Sequence, residues 1–104
     1  MNGRKLRSSL TIRRLMYLDA LARERHFRKA ADACNVSQPT LSAAIGQLER
    51  DLGCQLVERS KCFERFTIEG EIVLARARPI LAELKMLREA IIAVRKDRPS
   101  AAAV

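Results

Sequence analysis

The stretch FRKAADACNVSQPTLSAAIGQLERDL, residues 27–52, constrains the fold of this chain more than any other. It reads as two short helices joined by a tight turn. Ala30, Ala31 and Cys34 give the first helix a slim apolar face, so a second helix can cross it closely. Asn35 stands where the first helix must stop, and asparagine tolerates the left-handed backbone that such a stop requires. Val36 plugs the turn and Ser37 is placed to cap a new helix whose first positions are Gln38 and Pro39. Proline loses nothing there, because the first-turn N–H groups have no intrahelical partner. Leu41, Ile45, Leu48 and Leu52 then recur at spacings of 4, 3 and 4, one buried stripe of an amphipathic helix. Two helices joined in this way form a helix-turn-helix, whose usual partner is double-stranded DNA.

The flanking sequence completes a mainly α fold. Residues 1–10 are a polar, basic lead-in whose Arg4, Lys5 and Arg7 suit either a phosphate backbone or a frayed terminus. Thr11 caps a first helix running to about residue 23, with Ile12, Leu15, Leu18, Leu21 and Ala22 inward and Arg13, Arg14 and Arg23 outward. His26 reads as the cap of the next helix or an exposed turn residue, and Phe27 as a core anchor. Gly53 closes the recognition helix. Short strands at 56–58 and 65–67, around a tip at 60–64, predict a β-wing, a device that follows the backbone or reaches the minor groove. Lys61 lies in the tip with Arg59 and Arg65 flanking it. Glu64 shares the wing and either pairs with Arg65 or points away.

Thr67 caps a last helix over 68–96. Its Val73, Ala77, Ile80, Leu84, Leu87, Ile91 and Val94 are spaced 4-3-4-3-4-3, a heptad seam that needs a partner helix. Leu74 and Leu81 widen the stripe, so part of it can also cover the winged domain. Such a helix is about 40 Å long, more than so small a domain can cover. Pro79 removes one ladder bond and predicts a bend near Ala75, not an end, since the seam resumes in phase. The expected organisation is a winged helix-turn-helix over 11–67, a linker and dimerisation helix over 68–96, and a linker remnant or frayed end over 97–104.

Charge and composition narrow the partner. Lys and Arg number 20 against 12 Asp and Glu, a net charge of +8, as a polyanion partner would favour. Residues 1–67 hold 13 basic and 7 acidic side chains, and residues 68–104 hold 7 and 5, so the excess (+6 against +2) lies with the helix-turn-helix. Aromatic residues make up 4%, too few for the stacking platforms of a single-strand binder. No apolar run approaches the roughly 20 residues of a membrane span, and no secretory hydrophobic region follows the basic start. The chain is therefore expected in the cytoplasm, with no membrane partner. Cys34, Cys54 and Cys62 lack C-x-x-C spacing and the single His26 completes no metal set with them. No metal or other cofactor is expected, and Cys34 reads as a small core residue. G-x-S-x-G, G-x-x-x-x-G-K and H-E-x-x-H are all missing, so an enzyme reading finds no support.

The run HFRKAADACNVSQPTLSAAIGQLERDLGCQLVERS resembles the DNA-binding domain of the LysR-type transcriptional regulators. The A-A-x-x-x-x-V-S-Q-P-T-L-S core, the I-x-x-L-E-x-x-L-G run and the L-V-E-R strand fall in family order and spacing. The likeness covers roughly residues 10–94. Its H-F-R-x-A-A-D and V-S-Q-P-T-L-S segments are most similar to the peroxide-sensing members. The resemblance implies a dimeric regulator that reads interrupted inverted repeats. It also implies an effector bound by the C-terminal sensor domain of full-length members, not by these residues; the chain is then an excised domain or an unusual short member. This chain departs from the family in three places. His26 stands where serine is common as a cap, Ala43 where many members carry an arginine able to reach guanine, and Cys62 where an arginine is frequent in the wing. The cysteines used for redox sensing belong to the sensor domain.

The DNA-contacting set expected from these readings is Arg28, Ser37, Gln38, Pro39, Thr40, Ser42, Ala43, Arg50, Arg59 and Lys61. Arg28 crosses the backbone, and Thr40 and Ser42 add hydroxyl donors beside the positive end of the recognition helix. Gln38 is suited to adenine, and Pro39 and Ala43 to thymine methyls. Gly46 lets the backbone approach DNA closely. Few direct base contacts are expected, leaving much of the specificity to wing position, half-site spacing and DNA deformability. The competing reading is a dimerisation or protein-interaction module that uses the winged fold without DNA. Gln38-Pro39-Thr40 at a helix start and the basic winged half favour DNA.

Overall fold

The computed structural model describes residues 10–59, 63 and 65–98. Among them the order is α1 (Ile12–Glu24), α2 (Phe27–Ala33), α3 (Gln38–Leu52), β1 (Val57–Glu58), β2 (Arg65–Phe66) and α4 (Ile68–Lys96). Each helix starts on a side-chain acceptor for an otherwise unpaired N–H. Thr11 Oγ1 takes the Arg14 N–H at 3.2 Å and His26 Nδ1 that of Lys29 at 3.3 Å. Ser37 Oγ takes the Thr40 N–H at 3.2 Å, and Thr67 Oγ1 the Gly70 N–H at 3.0 Å. The stops are equally local. Asn35 and Gly53 have φ of 59° and 75°, as expected from sequence, while Arg25 takes φ 55° without being glycine or asparagine.

The core lies where α1, α2 and α3 meet beneath the wing. Leu18, Leu21, Leu41, Ile45, Leu48, Leu56 and Val57 are fully buried in it. Tyr17 and Ala20, absent from the stripe read from sequence, are also buried. Ile12, expected inward, is 38% exposed. It sits at the first turn of α1, facing a shallow groove beside Ile80, Leu84 and Leu87 of α4, not the core. β1 and β2 pair antiparallel, Val57 opposite Phe66 and Glu58 opposite Arg65. The strands are one residue shorter than expected on each outer side.

α4 leaves the wing at a crowded joint. Gly70 is buried, and a Cβ there would overlap the Leu56 carbonyl oxygen and lie 3.1 Å from Phe66 Cδ1. Leu74 and Ala77 are then buried against the winged domain, and Arg78 Nε reaches Asp19 Oδ1 of α1 at 3.1 Å. This corrects the seam at its start. Ala77 is 1% exposed and Val73 packs on the core, so both positions face their own domain, which the heptad spacing could not reveal. The helix runs unbroken through Pro79 to Lys96. Beyond it Ile80, Leu84, Leu87, Ile91 and Val94 are 46%, 38%, 62%, 55% and 51% exposed. Among the described residues, no helix is long and apolar enough to cross a membrane. The expectations for residues 1–9, for 99–104 and for Lys61, Cys62 and Glu64 lie outside the described residues.

Candidate nucleic-acid interface

The start of α3 is fixed by the turn before it. Ala30 and Ala31 are buried at the crossing, and the Val36 N–H donates to the Ala31 carbonyl at 3.0 Å. With Leu41, Ile45 and Leu48 buried on one side of α3, Ser37, Gln38, Pro39 and Thr40 stand exposed in a row at its first turn. The N–H groups there carry the positive end of the helix dipole. The Ser37 hydroxyl donates to Thr40 Oγ1 at 2.9 Å while accepting the Thr40 N–H, so the two hydroxyls are held as a pair. Farther along the outer side, Ala43 and Arg50 are exposed and Ser42 and Gly46 half-buried. Arg28 is exposed on the first turn of α2. The expected α3 residues therefore share one surface.

Two of the expected arginines are engaged internally. Arg50 Nη2 donates to Gln47 Oε1 at 2.9 Å, and Gln47 Nε2 in turn to Asp51 Oδ1 at 3.0 Å. Arg59 Nη1 donates to Ser42 Oγ at 2.9 Å and Nη2 to Glu49 Oε1 at 3.3 Å. Its guanidinium carbon lies 5.1 Å from the Phe27 ring centroid, a cation–π arrangement. The other Glu49 oxygen accepts the N–H groups of Leu56 and Val57 at 2.9 and 3.2 Å. One carboxylate thus fixes both the strand entry and the arginine at the root of the wing.

Sequence reasoning missed Glu49 in this role, and also the aromatic chain behind it. Phe63 stands 6.4 Å edge-on from Phe27 and 5.2 Å from Phe66, and Arg25 lies 5.3 Å over the Phe63 ring. These phenylalanines tie the wing to α2. The signal for them was two apolar aromatics inside an otherwise polar wing. Arg65, read as a candidate partner of Glu64, is bonded to Glu58 at 2.8 Å across the strand pair. Burial raises the thiol of Cys34, with Arg23 opposing and Asp19 reinforcing the rise. Burial likewise raises Cys54, helped by Glu69 and Glu49. Among the described residues no three His, Cys, Asp or Glu side chains gather where a metal could be held.

Residues 12–71, more than half of the chain, match the family described as bacterial regulatory helix-turn-helix protein, lysR family. The chain belongs to the LysR family. Among curated relatives of this LysR-family domain, the DNA-binding transcriptional dual regulator OxyR of Escherichia coli is 51% identical over 80 residues, covering 77% of this chain and 26% of the relative. The hydrogen peroxide-inducible genes activator of Haemophilus influenzae is 50% identical over 80 residues, 77% of this chain and 27% of its own length. The chain thus spans about a quarter of the relatives it matches. Solved structures agree in fold. The complex of the BenM DNA-binding domain with catB site 1 DNA superposes with a TM-score of 0.75 at 32% identity, over 83% of this chain and 97% of that one. The CbnR DNA-binding domain in complex with DNA gives 0.66 at 34% identity, over 91% and 100%.

Proposed function

We propose that this LysR-family domain binds double-stranded DNA in a sequence-specific manner, as a dimer, within a transcriptional regulator of the cytoplasm. The observation that carries the proposal is the exposed first turn of α3, where Ser37, Gln38, Pro39 and Thr40 face solvent on the most basic part of the chain. The DNA complexes of BenM and CbnR support it by likeness. In this reading Arg28, Ser37, Thr40 and Ser42 take phosphates, which position the domain without reading sequence. Gln38 takes adenine, Pro39 and Ala43 touch thymine methyls, and Arg50 extends the contact along the groove. Lys61, outside the described residues, is assigned a backbone contact by its charge alone.

The dimer forms through the exposed part of the α4 seam, Ile80, Leu84, Leu87, Ile91 and Val94. These five side chains, each at least 38% exposed in the single chain, repeat over two heptads and leave an apolar strip that a second helix would cover. In this reading an effector is not bound by these residues. A two-fold dimer carrying one recognition helix per protomer selects an inverted repeat with half-site centres about one helical turn apart.

Selection from random duplexes followed by footprinting tests this. An inverted repeat should emerge, and moving one half-site by about 5 bp should turn it to the opposite face and leave only one half protected. A direct repeat bound equally well would overturn the two-fold arrangement. Failure to retain any duplex at low salt would favour the protein-interaction reading.

A further inference from the structure

Arg59 combines three observations that a phosphate-facing arginine does not need. It lies against the ring of Phe27, which is 5% exposed; it pairs with Glu49, whose side chain is 14% exposed; and it donates to Ser42. Ser42 and Glu49 are seven residues apart on α3, two turns along one side, and the guanidinium bridges their two side chains. The Glu49 charge balances that of Arg59, and a balanced arginine contributes little of the counterion release that drives phosphate binding.

The consequence falls on Ser42. A serine inside a helix either turns its hydroxyl back to the carbonyl four residues earlier or points it to solvent. Here a guanidinium N–H occupies an acceptor position of the Ser42 oxygen, and among the described residues the hydroxyl donates to no other group. Its proton is thereby turned away from the wing root. We propose that Arg59 is a positioning residue: it holds the Ser42 hydroxyl as an oriented donor for a DNA phosphate, with Glu49 fixing the guanidinium, and it does not itself contact the backbone. This rests on the DNA-binding reading above, and it moves Arg59 out of the contact set expected from sequence. The chemistry needs the planar fork of arginine, since a lysine at this place supplies a point charge that cannot serve Glu49 and Ser42 together.

The test uses the whole chain, random-sequence duplex DNA and four proteins: wild type, Arg59→Lys, Ser42→Ala and the double variant. Arg59→Lys retains the charge and should still lower affinity about tenfold, the size of one hydrogen bond to a charged acceptor. Ser42→Ala should lose about the same, and the double variant no more than either alone, because one contact is removed in all three. The dependence on log salt should keep the wild-type slope in every case. Losses that multiply in the double variant would mean that Arg59 acts independently of Ser42, as a residue that merely braces the wing would. Wild-type affinity in Arg59→Lys, with a slope about one unit flatter in Arg59→Ala, would make Arg59 a phosphate contact. Either result overturns the proposal. Wild type that binds no duplex at all would instead remove the underlying DNA-binding reading. Thermal unfolding of each variant separates loss of fold from loss of contact. If Arg59→Lys does not fold, the same cycle between Glu49→Gln and Ser42→Ala decides.

Discussion

The same change, glycine to alanine, should move this domain in opposite directions at two positions. Gly46 is in the middle of α3, and a Cβ there would meet only the end of the Arg50 side chain, at 3.5 Å, an ordinary van der Waals contact. Alanine is the better helix former by about 0.8–1 kcal/mol, and nothing in the free domain opposes it. For a domain of this size each kcal/mol is worth about 4–8 °C, so Gly46→Ala should raise Tm by several degrees. Gly70 has no such room. Its Cβ would overlap the Leu56 carbonyl oxygen, and that oxygen is held by the Thr67 N–H at 3.0 Å, with Phe66 closing the other side. Either α4 shifts or the wing root opens, a cost of about 2–3 kcal/mol by comparison with other overpacked sites. Gly70→Ala should therefore lower Tm by about 10 °C or more. The assay is thermal unfolding by circular dichroism at one fixed protein concentration, since a dimer's Tm depends on it. If Gly46 faces DNA at close range, its variant should also bind duplex more weakly while being more stable. A Gly46→Ala protein that melts lower, or a Gly70→Ala protein as stable as wild type, would refute the packing described here. A more stable Gly46→Ala protein with unchanged affinity would refute the close approach to DNA alone.

Other perturbations probe separate surfaces. Leu84→Arg together with Leu87→Arg should convert a dimer to a monomer in sedimentation while the helical signal of the winged domain persists, because neither residue belongs to its core; an unchanged dimer would show that the seam is not the interface. Arg28→Ala should weaken all duplexes alike and flatten the salt slope by about one unit. Gln38→Ala should change the preferred sequence at one position of each half-site at a cost of about 1–3 kcal/mol, and equal weakening on random duplex would make it a phosphate contact. Burial raises both the Cys34 and Cys54 thiols, so their alkylation should turn on only above the ordinary thiol range near about 8.5. The unfolded chain, which ionises first, then gains relative to the folded one as pH rises past that range, and stability should fall there. Alkylation midpoints below it would contradict the burial.

What was legible in the sequence was written locally. Thr11, His26, Ser37 and Thr67 cap the helices they precede because each cap is a bond between residues three apart, and spacing reveals such bonds directly. The left-handed stops at Asn35 and Gly53 were readable for the same reason, while Arg25 hid its own by using a residue type that carries no such signal. Periodicity was a weaker guide wherever two surfaces compete for one stripe. Val73, Ala77, Ile80 and Leu84 share a single heptad phase, yet the winged domain covers the first pair and leaves the second open. A helix reports which side is apolar, never what covers it, and the switch between Ala77 and Ile80 depends on where α1 ends its contact with α4. Ile12 was misplaced by the same ambiguity from the other side of that groove.

At the candidate interface the division runs between types of residue. The first turn of α3 could be read because its chemistry and its spacing coincide in one short segment, Ser37 to Thr40. The wing root could not, because Phe27, the Ser42 and Glu49 pair of α3, and Arg59 lie on three separate stretches of chain and each has an unremarkable local context. From sequence Arg59 is a cation beside a wing, and charge alone assigns it to phosphate. Its partners change that assignment, since a guanidinium already shared between a carboxylate, a hydroxyl and an aromatic face is committed to holding α3 and the wing in one register. If Arg59 positions Ser42 as proposed, recognition by such a domain depends on a side chain that need not touch DNA. The cost of disturbing it should appear at Ser42, one hydrogen bond away, before it appears anywhere in the charge-driven part of the affinity.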